Sequence, residues 1–391
     1  MQLFKQLVQK KIQEKDHSNL DFAVQGNTKF ALDIYQKLLA TEGNLFFSPY
    51  SISSALALTY AGARGDTQTQ MAQALHFLLD QKQLHPAFAL LAATLEEASR
   101  RGHVQLKVAN TLWPGKDYKL LKGFLTLTKK FYGVQINPID FGDEEAARRS
   151  INSWVEERTE RRIKDLITPG ILDSLTRLVL VNAIYFYGAW ATQFDPNLTS
   201  NAAFFSAPEE QVQVPMMTLK HAFSYAEDEG LQILELPYNG GDLSMIVLLP
   251  RAIDGLAKLE GSLTVENFDK WMQDLAQAEV EVYLPKLEIT FPTRLDDTLR
   301  SMGMVDAFSE RADFSGLDGS RELFLGAVLH KAFIIVNEQG TEAAAATALI
   351  MQTKALSFPT VVFRADHPFV FLIREDSTGC ILFIGRVANF A

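Results

Sequence analysis

The feature that most constrains the fold is a long apolar run in the middle of the chain. Residues 178–190 read LVLVNAIYFYGAW, and nearly every position is apolar rather than every second one. A strand that is apolar on both faces has to be covered on both faces, as strands in the interior of a layered domain are. The run therefore predicts a central strand with other structure packed on each side.

The rest of the chain divides into a helix-rich first third and a strand-rich remainder. In the segment 27–40, Phe30, Ile34 and Leu38 fall on one helical face. Further helices are expected at 85–102 and 150–167, and strands at 231–238, 243–250, 280–290, 368–375 and 380–387. The sequence NGGD joins the first two of these strands as a hairpin. Length alone would suggest two or three domains, but no linker or repeat divides the elements, so we expect one mixed domain spanning 1–391.

Composition and charge exclude several classes of function. The chain is 47% hydrophobic and 21% charged, enough for a sizeable core, and its formal net charge is −10. Such an acidic chain, without a long basic stripe, is not expected to bind nucleic acid or another polyanion. Its densest basic groups, at 100–102 and 157–164, are short and partly balanced by glutamates, so solvated helix faces explain them. No apolar run reaches membrane-spanning length, so no membrane partner is expected.

The single cysteine and the N-terminus restrict the chemistry further. Cys380 can form no intramolecular disulfide and no cysteine-rich metal site, and its apolar surroundings in the sequence predict a buried, inert thiol. The first nineteen residues contain no apolar core of the signal-peptide type. From the residues alone the chain is expected to be soluble, although a signal sequence could have been removed.

No motif of a known catalytic type is present. The sequence contains no Gly-x-Ser-x-Gly elbow, no His-Glu-x-x-His zinc helix, no phosphate loop and no dinucleotide fingerprint. The seven histidines show no ligand-like spacing, and the carboxylate pairs Glu96–Glu97 and Asp296–Asp297 are typical of solvated surface. We therefore predict that the protein is not an enzyme and that it has no catalytic residue, metal site or cofactor.

Several polar residues occur where the pattern predicts burial. Asn182 interrupts the long apolar strand, His330 lies within GAVLHKAFIIV, and Ser48 and Ser51 surround the start of an apolar helix. A buried amide without a partner would cost about 1–3 kcal/mol. Either each serine caps a helix and each buried side chain finds a backbone partner, or these four side chains bond to one another. Local sequence leaves both interpretations open.

The segment 337–360, NEQGTEAAAATALIMQTKALSFPT, is unusual because most of its side chains are small, few of them are charged, and its pattern favours neither helix nor strand clearly. Its four consecutive alanines favour helix, yet it follows the β-branched run 333–336 and leads into the strand-like TVVFRA. Between Ala343 and Phe363 the only charged residue is Lys354. An ordinary buried helix would explain the alanines, but neither the following strand nor the lone lysine.

Along nearly its whole length the chain resembles a serpin. The resemblance rests on NLFFSPYSISSALA, LVLVNAIYFYGAW, YLPKLEI, HKAFIIVNEQGTEAAAATA and FRADHPFVFLIRE, which occur in the order typical of the family. It implies an α+β fold of three β-sheets, A, B and C, with about eight or nine helices. It also implies an exposed reactive-centre loop, at about residues 338–360, between sheets A and C.

The resemblance further implies a suicide-substrate inhibitor of serine proteases. The target protease cuts the loop, stays bound as an acyl-enzyme, and is trapped when the loop inserts as a new strand into sheet A. The sequence fits this role, because Thr341, Ala343 and Ala345 would share one uncharged face of such a strand. The hinge residues that the family motif assigns are Glu338, Gly340, Thr341, Glu342, Ala343, Ala344, Ala345 and Ala346.

The family's spacing also implies where the loop is cut. Fourteen residues beyond Gly340 the chain reaches Lys354, so the reactive bond is expected to be Lys354–Ala355 and the target a trypsin-like protease, held in a covalent complex. A lysine retained only for loop solubility is the alternative. A non-inhibitory serpin, acting as carrier, storage or chaperone-like protein, is the alternative for the whole function, but such members usually alter the hinge, which is intact here.

Other family roles are carried over where positions match. Ser48, Ser51, Asn182 and His330 match the polar cluster beneath the opening of sheet A, often called the shutter. At the top of that sheet, the region called the breach, Trp190 matches the family's tryptophan, and Lys286 and Glu338 match a salt bridge. Gln339 departs from the family, where a charged residue is common, without blocking insertion.

The family also suggests partners and a location. The basic helix that binds heparin in some members is not evident, and a monomer is expected. The resemblance implies an extracellular protein, but the lack of a signal peptide in this chain leaves a cytoplasmic location open.

Overall fold

Ten α-helices and two hydrogen-bonded sheets make up the part of the chain that the computed structural model describes, residues 2–134, 136–341 and 360–390. Side chains are described from Asp16 onward. The helices are α1 (Gln2–Leu38), α2 (Pro49–Tyr60), α3 (Gly65–Ala74), α4 (Gln81–Gly102), α5 (Lys122–Tyr132), α6 (Glu144–Arg158), α7 (Leu256–Ser262), α8 (Val265–Asp274), α9 (Asp296–Ser301) and α10 (Ser315–Asp318).

The described residues also contain fourteen strands. These are β1 (Leu45–Phe47), β2 (Gln105–Pro114), β3 (Leu178–Ala189), β4 (Ser200–Ala207), β5 (Glu210–Glu227), β6 (Leu231–Pro237), β7 (Leu243–Pro250), β8 (Ala276–Pro285), β9 (Leu287–Arg294), β10 (Leu325–Asn337), β11 (Gly340–Thr341), β12 (Val361–Arg364), β13 (Phe369–Glu375) and β14 (Ile381–Val387). None of the described helices is long and apolar enough to cross a membrane.

The five-stranded sheet has the order β2-β3-β11-β10-β9 and contains the apolar run as its strand β3. Alternate side chains of β3 enter two different cores. Leu178, Leu180 and Ile184 join the large core that includes α2, whereas Val179 and Val181 join a second core on the opposite face with residues of α6. The prediction of a central strand covered on both faces is confirmed, and apolar burial on both faces explains why polar positions in it are rare.

The nine-stranded sheet has the order β1-β14-β13-β7-β6-β5-β8-β12, with β4 also paired to β5. The expected hairpin forms between β6 and β7, and β13 pairs with β14. The expected mixed α+β fold is confirmed, but the sheets expected as B and C are continuous here. The cause is β5, whose eighteen residues pair with β4 over residues 210–216, with β8 over 216–225 and with β6 over 224–227.

Several predicted elements differ from the structure. The helix predicted at 27–40 belongs to α1, which begins at Gln2, and the helix predicted at 85–102 is α4, which begins at Gln81. The helix expected at 150–167 is α6, which begins at Glu144 and already ends at Arg158, because Glu160 and Arg161 have positive φ angles of 51° and 63°. The strand expected at 280–290 is two strands: β8 ends at Pro285 in the nine-stranded sheet, and β9 begins at Leu287 in the five-stranded sheet. Local alternation predicts a strand but not the sheet in which each part pairs.

Candidate functional site

Strands β3 and β10 of the five-stranded sheet pair directly over part of their length and are separated at the end that contains Ala189 and Asn337. We call this the upper end of the sheet. Over eight residue pairs, from Leu178 to Tyr185 on β3, the strands β3 and β10 are parallel and directly bonded. Above these pairs β11 lies between them. Gly340 pairs with Asn337 on β10 and with Ala189 on β3, and Thr341 continues both ladders. The sheet thus has an opening at one end that already contains two residues of a further strand.

Gly340 occupies a place where no side chain fits. A Cβ atom added there would lie 2.1 Å from the carbonyl oxygen of Gly188 and 2.6 Å from Cα of Ala189, both backbone atoms. The φ angle of Gly340 is also +150°, a region that residues with a side chain rarely adopt. Glycine at this position lets the chain come close enough to β3 to start the new strand.

Thr341 points from β11 into the core. The residue is fully buried, and its hydroxyl Oγ1 lies 2.8 Å from the hydroxyl of Tyr238. The ring of Tyr238 stacks on that of Trp190 with centroids 4.7 Å apart. Burial raises the pKa of Tyr238 far above its ordinary value, so this hydroxyl stays protonated and can donate or accept. The inner slot behind β11 is therefore apolar, with one hydroxyl matched to Thr341.

Trp190 connects the end of β3 to the turn before β11. Its indole Nε1 donates to the carbonyl of Asn337 at 3.0 Å, and its backbone N–H donates to the carbonyl of Gln339 at 2.9 Å. The backbone N–H of Phe194 donates to the carbonyl of Glu338, also at 2.9 Å. The upper end of the sheet is thus held mainly by backbone groups of residues 337–339.

The carboxylate of Glu338 completes this region. Lys286 Nζ lies 3.0 Å from Oε2, and the Thr199 hydroxyl donates to Oε1 at 2.9 Å. Burial by itself would raise the pKa of Glu338, but a hydrogen bond from its own backbone, the hydrogen bonds from Lys286 and Thr199 and the lysine charge hold it below the ordinary value. Glu338 is therefore an anion that is largely buried but fully paired.

A buried polar cluster lies below the opening, where β3 and β10 are directly paired. Asn182 Nδ2 donates to Ser51 Oγ at 2.6 Å and to Oδ1 of Asn110, its neighbour across the β2–β3 ladder. The Oδ1 atom of Asn182 binds His330 Nδ1, and the residues are also register partners between β3 and β10. Ser48 completes the cluster, because its backbone N–H approaches His330 Nε2 at 3.3 Å.

The cluster fixes the protonation of His330. Nε2 accepts from the backbone of Ser48, so Nδ1 carries the proton and donates to Asn182. Burial lowers the pKa of His330 to about 3. The neutral ring is the form that suits this site, because a second ring proton would point at the N–H of Ser48.

The structure brings the sequence-predicted residues together in two groups. Ser48, Ser51, Asn182 and His330 meet in the cluster, while Trp190, Lys286 and Glu338 meet at the upper end. Ser48 follows the first interpretation, because its Oγ caps α2 by accepting from the Ser51 N–H at 3.1 Å and donates to the carbonyl of Leu382 at 2.6 Å. Ser51, Asn182 and His330 follow the second, because the Asn182 side chain bonds to the other two. The side chains and the caps thus belong to one network.

Three further residues of the site were not singled out from the sequence. Asn110 belongs to the cluster. The hydroxyl of Tyr238 hydrogen-bonds to that of Thr341, and the hydroxyl of Thr199 donates to the carboxylate of Glu338. Asn110 did carry a signal, as a polar residue followed by an apolar stretch of a strand, but only the pairing of β2 with β3 places it beside Asn182. Tyr238 is the last residue of the predicted strand 231–238, and nothing local connects it with residue 341.

Several predicted residues lie outside the described part of the chain. They are the remaining hinge residues Glu342, Ala343, Ala344, Ala345 and Ala346 and the two residues of the expected reactive bond, Lys354 and Ala355. Within the described part, no group of three or more His, Cys, Asp or Glu side chains could hold a metal ion. Cys380 is fully buried, and burial raises the pKa of its thiol far above the ordinary value.

Comparison with known proteins gives consistent matches over most of the chain. The family model "Serpin (serine protease inhibitor)" matches residues 25–390. The leukocyte elastase inhibitor of Sus scrofa is 43% identical over 374 residues, which cover 93% of this chain and 98% of the relative. The crystal structure of Serpin48, a highly specific serpin of the insect Tenebrio molitor, is 33% identical with a TM-score of 0.85, covering 94% of this chain and 98% of that one. Human thyroxine-binding globulin is 32% identical with a TM-score of 0.86, covering 95% and 99%.

Proposed function

This chain belongs to the serpin family of serine protease inhibitors, and from this premise we propose that it is a suicide-substrate inhibitor of a trypsin-like protease. The protease serine attacks the carbonyl of Lys354, an ester forms to the enzyme, and the amine of Ala355 leaves. The freed hinge then inserts into the five-stranded sheet. The displaced protease, with its oxyanion hole and triad distorted, cannot hydrolyse the ester.

The observation that carries this proposal is β11. Its two residues already bond to β3 on one side and β10 on the other, antiparallel to both. Continuing this strand downward requires no new turn, only separation of the eight β3–β10 pairs below it. Because side chains alternate along a strand, Ala343 and Ala345 would follow Thr341 on the inner face, and their small size suits a slot between packed strands.

The energetics favour an irreversible step. A strand of about twelve residues gains main-chain hydrogen bonds at roughly 1 kcal/mol net each, together with burial of its inner face. This gain is comparable with the ~5–15 kcal/mol stability of a whole ordinary domain. The uncut protein would therefore be kinetically trapped in a less stable form, and cutting the loop would release it.

The target class follows from Lys354. This lysine is the only charge between Ala343 and Phe363, as expected for a residue that enters an acidic specificity pocket. The relative from Sus scrofa is named for leukocyte elastase, a different protease, so the lysine and not the relative supports a trypsin-like target here. Met351, Gln352, Thr353 and Leu356 flank the bond and would adjust the choice among such proteases.

The test is to mix the protein with trypsin and look for a complex that survives SDS, then to sequence the released C-terminal peptide by mass spectrometry. We expect a covalent complex and a peptide that begins at Ala355. Lys354→Ala should abolish the complex with trypsin, while Lys129→Ala, at an exposed position on α5, should leave it unchanged. Clean cleavage without a complex would instead indicate a non-inhibitory member, and a peptide starting at Thr353 or Ser357 would overturn the assigned bond.

A further inference from the structure

The helix α1 extends beyond the part of the chain that the serpin family model matches. It runs from Gln2 to Leu38 as one element, whereas the match covers only residues 25–390. The described residues that α1 contributes to the large core begin at Leu20. Residues 2–15 therefore form an extension of this helix, which we call the N-terminal segment, that the inhibitor fold does not explain.

The second half of α1 has a buried side and an exposed side. Leu20, Val24 and Asn27 are buried against the domain. Phe22 and Gln25 are exposed, Phe22 to 42%. An α-helix makes five full turns in about eighteen residues, so two positions separated by this interval lie on the same side of the helix.

In the N-terminal segment the polar and apolar sides are exchanged. Positions 2, 6 and 9, one such interval before the three buried residues, all hold glutamine. The positions that precede the two exposed residues by the same interval hold Phe4 and Leu7, with Leu3 and Val8 on either side of them. A surface helix normally has its apolar side towards its own domain. In this segment the apolar positions lie on the opposite side, which points to a partner outside the domain.

The N-terminal segment is also basic, although the chain as a whole is acidic. It contains four lysines and one glutamate, a net charge of +3, whereas the whole chain carries −10. The residues outside the segment therefore sum to −13. The lysines are Lys5, Lys10, Lys11 and Lys15. A basic amphipathic helix with leucine and phenylalanine on its apolar side is typical of segments that lie in the interface of a membrane, where the lysines attract anionic lipids.

The positions of two lysines distinguish a membrane from a second copy of the chain as the partner. Lys11 follows Leu7 by one turn, and Lys15 follows Lys11 by one turn, so both continue the side that carries the apolar residues. Pairing of two copies through this side would bury lysines in the contact and would bring two basic segments together. At a membrane, by contrast, a lysine extends its charge to the headgroups while its methylene stem lies along the apolar region.

We propose that the N-terminal segment binds the surface of an anionic phospholipid membrane, with Leu3, Phe4, Leu7 and Val8 inserted between the headgroups and the lysines bound to the lipid phosphates. This interaction goes beyond the proposed inhibition and would concentrate the inhibitor at a membrane surface. The expectation of no membrane partner rests on the lack of a spanning run, which a helix lying in the interface does not require.

The acidic domain does not cancel this attraction. The N-terminal segment extends over about 20 Å of helix, and charges separated by more than about 8 Å are largely screened at physiological salt. The lysines near the lipid therefore determine the interaction, and the more distant carboxylates contribute little. Raising the salt concentration should weaken the binding for the same reason.

Flotation of the intact protein with lipid vesicles tests the proposal. One set of vesicles contains phosphatidylcholine with about 30% phosphatidylserine, and the neutral set contains phosphatidylcholine alone. We expect the protein to bind the anionic vesicles at least about tenfold more tightly than the neutral ones. The binding should be largely lost in about 0.5 M sodium chloride. No flotation with the anionic vesicles, or equal binding to both sets, would overturn the proposal.

A variant of the apolar side tests which residues enter the membrane. Phe4→Gln combined with Leu7→Gln should weaken binding to the anionic vesicles at least about tenfold, because it removes the apolar contact with lipid. The matched control, Gln6→Asn with Gln9→Asn, changes the opposite side of the same turns and should leave the affinity unchanged. Equal thermal midpoints of both variants and wild type show that the fold is retained. An affinity unaffected by the first variant would overturn the assigned side.

A variant of the lysines tests the role of their charge. Lys10→Gln combined with Lys11→Gln should weaken binding to the anionic vesicles at least about tenfold. The control, Lys258→Gln with Lys270→Gln, removes the same charge at exposed positions on α7 and α8 and should leave binding unchanged. Equal weakening by both pairs would show a general charge effect and overturn the site. Sedimentation equilibrium without vesicles should give a monomer, and a dimer that Phe4→Gln with Leu7→Gln abolishes would assign the apolar side to a second copy instead.

Discussion

The upper end and the centre of the five-stranded sheet are formed by the same two strands, β3 and β10, but they are held together differently. At the upper end the strands are already parted around Gly340 and Thr341. At the centre they are directly paired, with Asn182 and His330 opposite each other and bonded through their side chains. The comparison suggests that insertion starts at the upper end without a barrier of its own, and that the barrier lies at the centre.

The chemistry of the two regions supports this division. The upper end depends on backbone hydrogen bonds, on single side-chain bonds from Trp190, Thr199 and Tyr238, and on one ion pair. The lysine of that pair, Lys286, is 39% exposed, so solvent screens the attraction. At the centre, Asn182 and His330 are almost fully buried, so each bond lost there would leave an unpaired group at a cost of about 1–3 kcal/mol. The sheet is already open at its upper end but is held closed at its centre. It can therefore stay closed while the loop is intact and accept the loop as a new strand soon after the loop is cut.

The largest expected effect comes from blocking the upper end. Thr341→Arg would place a guanidinium in the apolar slot beside Tyr238, at a cost of several kcal/mol even after relaxation. Insertion would stall while the acyl-enzyme hydrolyses, and each ~1.4 kcal/mol added to the insertion barrier changes the partition tenfold. The stoichiometry of inhibition, counted as serpin consumed per trypsin inactivated, should rise at least about tenfold.

Thr341→Ser is the matched control, because it keeps the hydroxyl that meets Tyr238. It should inhibit with nearly the wild-type stoichiometry. If Thr341→Arg also inhibits with unchanged stoichiometry, then loop insertion does not arrest the protease, and the assigned role of the opening is wrong.

The next largest effect should come from removing the side-chain hydrogen bonds at the centre of the sheet. Asn182→Ala removes the side chain that joins Ser51, Asn110 and His330, and it should lower the apparent free energy of unfolding of uncut protein by about 2–4 kcal/mol. If the cluster holds the sheet closed, the variant should also lose inhibitory activity on mild heating several times faster than wild type.

Asn152→Ala provides the comparison for that variant. Asn152 is another buried asparagine, bonded to the backbone N–H and carbonyl of Ile167 at 2.8 and 2.9 Å, and it has no bond to the central cluster. It should lower stability by a similar amount without accelerating the loss of inhibition at equal stability. Equal acceleration in both variants would show that the central cluster has no special part in holding the sheet closed.

Lowering the pH should reduce the free energy of unfolding, because His330 is held neutral in the folded protein and can be protonated in the unfolded one. Burial lowers its pKa to about 3 in the folded protein, whereas an unfolded histidine titrates near pH 6.5, so the unfolded state binds more protons between these values. Stability is therefore full above pH 6.5 and falls by about 1.4 kcal/mol per pH unit below it, or about 2 kcal/mol at pH 5. His85, whose pKa burial lowers to about 4, adds a similar slope.

Urea unfolding midpoints from pH 7 to pH 5 measure this effect. His330→Gln should be less stable at pH 7 but should lose about 2 kcal/mol less than wild type on going to pH 5. His85→Gln serves as the control for a buried histidine outside the sheet. It should reduce the dependence of the free energy of unfolding on pH by a similar amount. Parallel pH curves for wild type and His330→Gln would contradict the assigned neutral ring.

The sequence predicted the residues of the site better than it predicted their geometry. The apolar run around Asn182 predicted β3 and its burial, because burial on both faces leaves a strong local pattern. The upper-end residues Trp190, Lys286 and Glu338 came from family resemblance, and the structure brings them together. Their local sequence would not have joined them, since residue 190 and residue 338 are far apart in the chain.

The parts that were missed depend on long-range pairing. Asn110 enters the cluster only because β2 lies beside β3, and Tyr238 meets Thr341 only because a hairpin of the other sheet reaches under the opening. For the same reason 280–290 looked like one strand, although Pro285 ends β8 and Leu287 starts β9 in a different sheet. Periodicity records which face is buried, but it does not record the neighbouring strand.

The thermal midpoint of the protein before and after loop cleavage tests the central claim most directly. The loop is cut with a protease that is then removed, and gel analysis verifies that both fragments stay associated. If the freed hinge continues β11 between β3 and β10, the midpoint should rise by at least about 15 °C, because a full strand is added to the sheet. An equal or lower midpoint after cleavage, with both fragments bound, would contradict insertion and with it the proposed mechanism of inhibition.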